Sequence, residues 1–76
     1  MDKAQAALNL IRDDFFVGEI TTMKHECLNK IVNSRPDDYD IREDAYRTIK
    51  TLDAVMAHFE SIADSKRIEQ KRWKIL

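Results

Sequence analysis

Three side-chain types capable of holding a metal meet at His25-Glu26-Cys27, with a second histidine, His58, far along the chain. Zinc takes such ligands, but it needs them in pairs spaced so that several reach one ion. Consecutive residues on a helix point about 100° apart, so positions 25, 26 and 27 cannot converge. Cys27 also falls on an apolar stripe, where a free thiol packs as a small hydrophobe. Carboxylates cluster at Asp13-Asp14, at Asp37-Asp38-Asp40 and at Glu43-Asp44. Paired acids can hydrolyse glycosides or hold a divalent cation. The stretch 37–43, however, lacks the central glycine and the frame of a calcium loop. Capping of helix ends and solubility account for these acids. With one glycine in the whole chain there is no phosphate-cradling loop, and no serine elbow or Cys/His dyad is present. The expectation is a protein with no enzymatic activity, no cofactor, no metal and no small-molecule substrate.

The residues with most to offer a partner lie at the C-terminal end. Lys66, Arg67, Ile68, Lys71, Arg72, Trp73, Ile75 and Leu76 combine cations with apolar side chains that no intramolecular stripe takes up. Such a segment could neutralise phosphates while Trp73 stacks on a base. It could dock on an acidic protein surface with Trp73 as a buried anchor. It could also be a solvated helix end whose cations complement the helix dipole. Residues 1–63 hold eight basic and twelve acidic side chains, a net of −4, while residues 64–76 carry +3. The total of −1 hides this division. An acidic body repels nucleic acid, so protein docking is the expectation.

Three helical segments must position these residues. From Asp2, Ala4, Ala7, Leu8, Ile11 and Phe15 recur at helical spacing, with Asp2 as the cap. Asp13-Asp14 predicts a kink or a new helix start, although a continuous helix also fits. A second helix over about 15–33 carries Phe16, Ile20, Met23, Cys27 and Ile31, broadened by Leu28 and Val32. Gly18 within it points to a close approach or a weak first turn. Asn33 to Asp40 reads as a loop around Pro36, and Asp40 with Glu43 resembles a capping box. The third helix has an unbroken heptad seam: Ala45, Ile49, Leu52, Met56, Phe59 and Ala63, widened by Ile41, Val55 and Ile62. Beyond Ala63 the helix either continues into solvent or ends at Asp64-Ser65.

The predicted fold is therefore all-α: a short N-terminal helix followed by an antiparallel helical hairpin with a long third helix. Residues 1–63 form the hairpin domain and 64–76 a basic tail or helix extension. At 76 residues a single core of this kind rarely supplies more than ~3–5 kcal/mol. The apolar residues exceed what one hairpin hides, so an oligomer or a partner-bound chain is expected. No apolar run approaches a membrane span, and the first residues lack the pattern of a secretory signal.

The run Ala6-Ala7-Leu8-Asn9-Leu10-Ile11-Arg12-Asp13-Asp14-Phe15-Phe16 resembles the opening of small helical proteins of unassigned role encoded in tailed-bacteriophage or prophage genomes. The stretch Asp40-Ile41-Arg42-Glu43-Asp44-Ala45-Tyr46-Arg47 and the stretch Ala57-His58-Phe59-Glu60-Ser61-Ile62-Ala63 are similar to their second half. Asp14 stands where that pattern commonly has Pro, and Asp64-Ser65 where it commonly has Asn-Gly. The resemblance implies a virion part, an assembly factor or a protein that disables a host enzyme, located in the virion or the host cytoplasm. A structural or assembly role built on protein subunits is the first expectation. An acidic host-interference binder and a DNA-packaging accessory are the alternatives. The resemblance carries over no functional residues.

Overall fold

The computed structural model describes residues 2–75, with side chains through Ile68. It contains three helices: α1 (Lys3–Ile11), α2 (Asp14–Val32) and α3 (Tyr39–Ile75). The fold is all-α, and α3 packs against both of the others, which scarcely touch each other. Asp2 lies beside Lys66 and Phe16 beside Phe59. Further along, Lys24 pairs with Asp53. The two short helices thus run end to end, antiparallel to the one long helix.

The break between α1 and α2 is made by aspartate. Asp2 sits extended at φ −76° and ψ 164°, and its Oδ1 accepts from the Gln5 amide at 2.6 Å. Asp13 repeats this at φ −74° and ψ 114°, accepting from the Phe16 amide at 2.7 Å. Each carboxylate satisfies an amide that the first helical turn leaves unpaired, and its charge complements the dipole. The Asp13-Asp14 doublet is therefore a new helix start. No proline is needed there.

Two small cores hold the assembly together. Ala7, Leu8 and Ala63 are buried, with Ile11, Phe59 and Ile62 packed around them, so α1 is fixed to the C-terminal half of α3. Cys27, Ala45 and Leu52 are the buried residues of the α2–α3 hairpin. Alanine and cysteine at the crossings let the backbones come close. Leu8 is the one large side chain that is fully buried among the described residues. The seam from Ala45 to Ala63 faces inward as its spacing predicts, since every member is buried or half-buried.

Several expectations about the margins do not hold. Leu28 and Val32 face solvent, 48% and 78% exposed, instead of widening the α2 stripe. Ile41 and Val55 are likewise exposed, because α2 alone is too narrow to cover both flanks of the seam. Phe15 does not pack with the α1 residues at all, being 77% exposed one residue past the Asp14 start of α2. Gly18 is not a point of close approach: a Cβ added there would meet nothing within 4 Å. The capping box at Asp40 and Glu43 does not form, since α3 already begins at Tyr39 and Asp40 lies in its first turn. Asp38 takes the stabilising role, its Oδ2 accepting from the Arg35 amide at 2.8 Å while its own amide donates to the Arg35 carbonyl at 3.0 Å. Of the two alternatives beyond Ala63, the continuous helix is the one adopted, with α3 running to Ile75.

Replacing Leu8 with Ala is expected to cost about 2–5 kcal/mol and to release α1 before the hairpin melts. Thermal unfolding followed by circular dichroism, with amide exchange to locate the released segment, checks this. The bond from the Gln5 amide holds the Asp2 carboxyl below its ordinary value of 3.8, with the nearby Lys66 ammonium adding to the effect. A lowered folded value means that this contribution is complete above that ordinary value and is lost as the pH falls toward the folded one. Asp2→Asn should keep most of the cap while removing this acid-side dependence, and a melting series from pH 5 to pH 2 reads both effects.

Candidate interaction surface

A chain of 8.9 kDa that folded compactly would expose ~4,800 Å². This one exposes 6054 Å² and measures 59 × 21 × 19 Å. Its radius of gyration is 16.9 Å, against ~11 Å for a compact domain of this length. The surplus arises because one long helix is covered along one side only. Several large apolar side chains are among what it exposes.

Near the hairpin tip the exposed side chains include Tyr39 at 72% and Tyr46 at 53%, with Leu28 and Val32 on the adjoining part of α2. Ile31, Tyr39, Asp40, Arg42, Glu43 and Tyr46 line a shallow open groove there. A second groove, on the other flank of α3, is lined by Cys27, Lys30, Ile41, Asp44, Ala45 and Thr48. Neither encloses a small molecule, since both are open depressions beside a helix.

Arg42 fixes the tip. Its Nη1 donates to the Ser34 hydroxyl at 3.1 Å and to the Arg35 carbonyl, and its Nη2 donates to the Pro36 carbonyl at 2.9 Å. Its guanidinium lies 5.2 Å from the centre of the Tyr39 ring. One side chain therefore satisfies several acceptors of the loop 33–38 and holds Tyr39 against its face. Ser34 completes the turn by donating to the Ile31 carbonyl at 2.7 Å.

At the opposite end, Lys66 pairs with Asp2 at 3.6 Å, beside the start of α1. From there α3 runs nine more residues, about 14 Å, past the start of α1. Arg67 turns back along α3, its Nη1 2.7 Å from Glu60 and 3.5 Å from Asp64. Ile68 is 56% exposed. The side chains of Lys71, Arg72, Trp73 and Ile75, and Leu76 as a whole, lie outside the described residues. Among the described side chains of the eight residues that sequence singled out for a partner, Ile68 is exposed and apolar. Lys66 and Arg67 also serve within the chain.

Sequence reasoning passed over Tyr39 and Tyr46. The signal was available: they lie seven residues apart on α3 and off its apolar seam, the pattern of a second, outward stripe. Among the described residues no group of His, Cys, Asp or Glu is arranged to hold a metal ion. His25 is exposed on α2, and His58 stacks edge-on against Phe59 with ring centres 5.5 Å apart. Among the described residues no helix is long and apolar enough to cross a membrane.

Replacing Arg42 with Ala should destabilise the hairpin by about 1–3 kcal/mol, since charge-assisted bonds to several carbonyls are lost together. Arg42→Lys should recover little of this, because an ammonium cannot span acceptors that the planar fork reaches together. Denaturant midpoints of the two variants provide the comparison, with amide exchange at Ser34 to Asp38 as the local readout.

No family model matches the chain, no curated protein matches its sequence, and no solved structure matches its fold.

Proposed function

We propose that the chain is a non-enzymatic assembly protein that works by helix docking on other protein subunits, in the setting of a tailed-phage particle. The observation that carries the docking part is the excess of exposed surface, several large apolar side chains included, on a rod built around one long helix. Isolated soluble domains seldom leave this much unburied. The phage setting rests on the resemblance of residues 6–16, 40–47 and 57–63 alone.

In this reading the chemistry is packing and charge pairing. Tyr39, Tyr46 and Ile68 supply apolar contact along an exposed lateral face of α3, and Lys66, Arg67, Ile68, Lys71, Arg72, Trp73, Ile75 and Leu76 supply a basic, partly apolar end. A rigid spine suits this role, because little conformational freedom has to be surrendered when a partner arrives.

A second reading has one observation in its favour. Residues 37–44 carry five acids against Arg42 alone, a net of −4 gathered at the hairpin tip. That patch could block a basic site on another protein, as an interference factor would. Binding DNA through the tail has less support, because Lys66 and Arg67 are already set against carboxylates of their own chain.

Mass spectrometry of particles purified after induction should find the chain in the virion. Removing residues 66–76 should exclude it from particles while circular dichroism shows the remaining helices intact. Absence of the full chain from the particles, or full incorporation of the shortened one, would sink this reading. Reversing Asp37, Asp38, Asp40 and Asp44 should leave incorporation largely intact here and abolish function under the interference reading.

A further inference from the structure

We propose that a second copy of this chain packs antiparallel along an exposed lateral face of α3, with the twofold axis passing beside Ala57. This rests on the protein-docking reading above and names the partner. Ala45, Leu52, Phe59 and Ala63 face α1 and α2. At about 100° per residue, Tyr46, Lys50, Ala57, Asp64 and Ile68 form a stripe about 120° round α3 from that seam. All five are exposed, although Tyr46 borders the groove it shares with Ile31 of α2 and Asp64 pairs with Arg67 within its own helix.

Charge selects a second copy in preference to a different protein. Residues 37–44 sum to −4 and residues 66–76 to +4, and α3 (Tyr39–Ile75) separates the two charge clusters along the chain. A rod with opposite charges at its two ends complements its own reverse. In an antiparallel pair each basic end meets the other copy's acidic tip, twice, whereas a parallel pair sets like charge against like.

The spacing then selects a register. One alignment sets Tyr46 against Ile68, Lys50 against Asp64, and Glu43 against the helix position of Lys71. All three share the midpoint at residue 57. A twofold axis requires this reciprocity, since residue i meeting residue j implies j meeting i. Tyr46 and Ile68 are 53% and 56% exposed, so the apolar contact occurs once at each end of the pair. Around the midpoint, Ala54, Ala57 and Ser61 are small and exposed, leaving room for two helix axes to approach to about 8–10 Å. The alignment also places Arg47 opposite Arg67. Each is neutralised within its own chain, Arg47 by Glu43 at 3.2 Å and Arg67 by Glu60 at 2.7 Å. The paired length from Glu43 to Lys71 is about 42 Å.

The test is sedimentation equilibrium of the full chain together with a cysteine on the proposed axis. The expected mass is twice 8.9 kDa, and the dimer should weaken as salt rises. Ala57→Cys should form a covalent dimer under mild oxidation, because a residue on the axis meets itself. Val55→Cys, on the flank, should not, and native Cys27 is buried. Glu43→Lys should weaken the dimer about tenfold, and Glu43→Lys combined with Lys71→Glu should restore it. Circular dichroism on each variant separates loss of pairing from loss of folding. A fully helical chain that stays at 8.9 kDa up to about 100 μM overturns the proposal. So does a dimer that Ala57→Cys fails to cross-link and the charge exchange fails to rescue. A monomer that is nonetheless found in particles refutes self-pairing and leaves the docking function standing, whereas a dimer absent from particles does the reverse.

Discussion

Neither α1 nor α2 has anywhere to bury its apolar side except against α3. The two short helices barely meet, so each depends on its own small contact with the spine: Ala7 and Leu8 against Ala63 for one, and the interface that buries Cys27, Ala45 and Leu52 for the other. This division explains the shape. A third helix laid across both neighbours would give a compact bundle. Two helices laid end to end along a third give a rod, with one side of the spine left in water. It also makes the two contacts separable, since losing the α1 patch leaves the hairpin with its own buried residues.

Charge contributes little to this stability. Lys24 with Asp53, Lys66 with Asp2 and Arg67 with Glu60 are all partly exposed, and such pairs are worth about 0–1 kcal/mol each. Their value lies in geometry. Lys24–Asp53 fixes the register of α2 on α3 midway along the hairpin, and Lys66–Asp2 marks where α1 begins. Arg42 differs because its acceptors are backbone carbonyls of a tight loop. There the alternative to a bond is an unpaired group or a rearranged turn.

Much of this fold was legible in the sequence because its signals were local or periodic. The heptad seam from Ala45 to Ala63 faces inward, Asp2 and Asp13 cap helices, and the break falls at Asp13-Asp14 as the charge doublet indicates. Burial at the edges was not legible. Leu28, Val32, Ile41 and Val55 satisfy the same periodicity as the core, but periodicity gives a direction and not the width of the covering partner. The run of α3 to Ile75 was also ambiguous, because the seam ends at Ala63 while helix propensity continues through Lys66, Arg67, Glu69 and Gln70. The candidate surface was half legible. The basic end stood out by composition, whereas Tyr39 and Tyr46 lie among acids and are marked in the sequence only by their seven-residue spacing off the seam.

The marginal size of the two cores bears directly on the proposed pairing. A partner that binds only the folded chain stabilises it by about 2.7 kcal/mol when present at a hundred times its dissociation constant. That is comparable with the ~3–5 kcal/mol a core of this size supplies alone. In such a chain, association and folding cannot be assigned to separate residues. A substitution in the α1 patch would weaken pairing by depopulating the fully docked spine, and one on the exposed lateral face of α3 would lower the melting temperature without touching a buried atom. The charge exchange between positions 43 and 71 separates the two effects. It alters neither core, and it reverses both ends of the pair together.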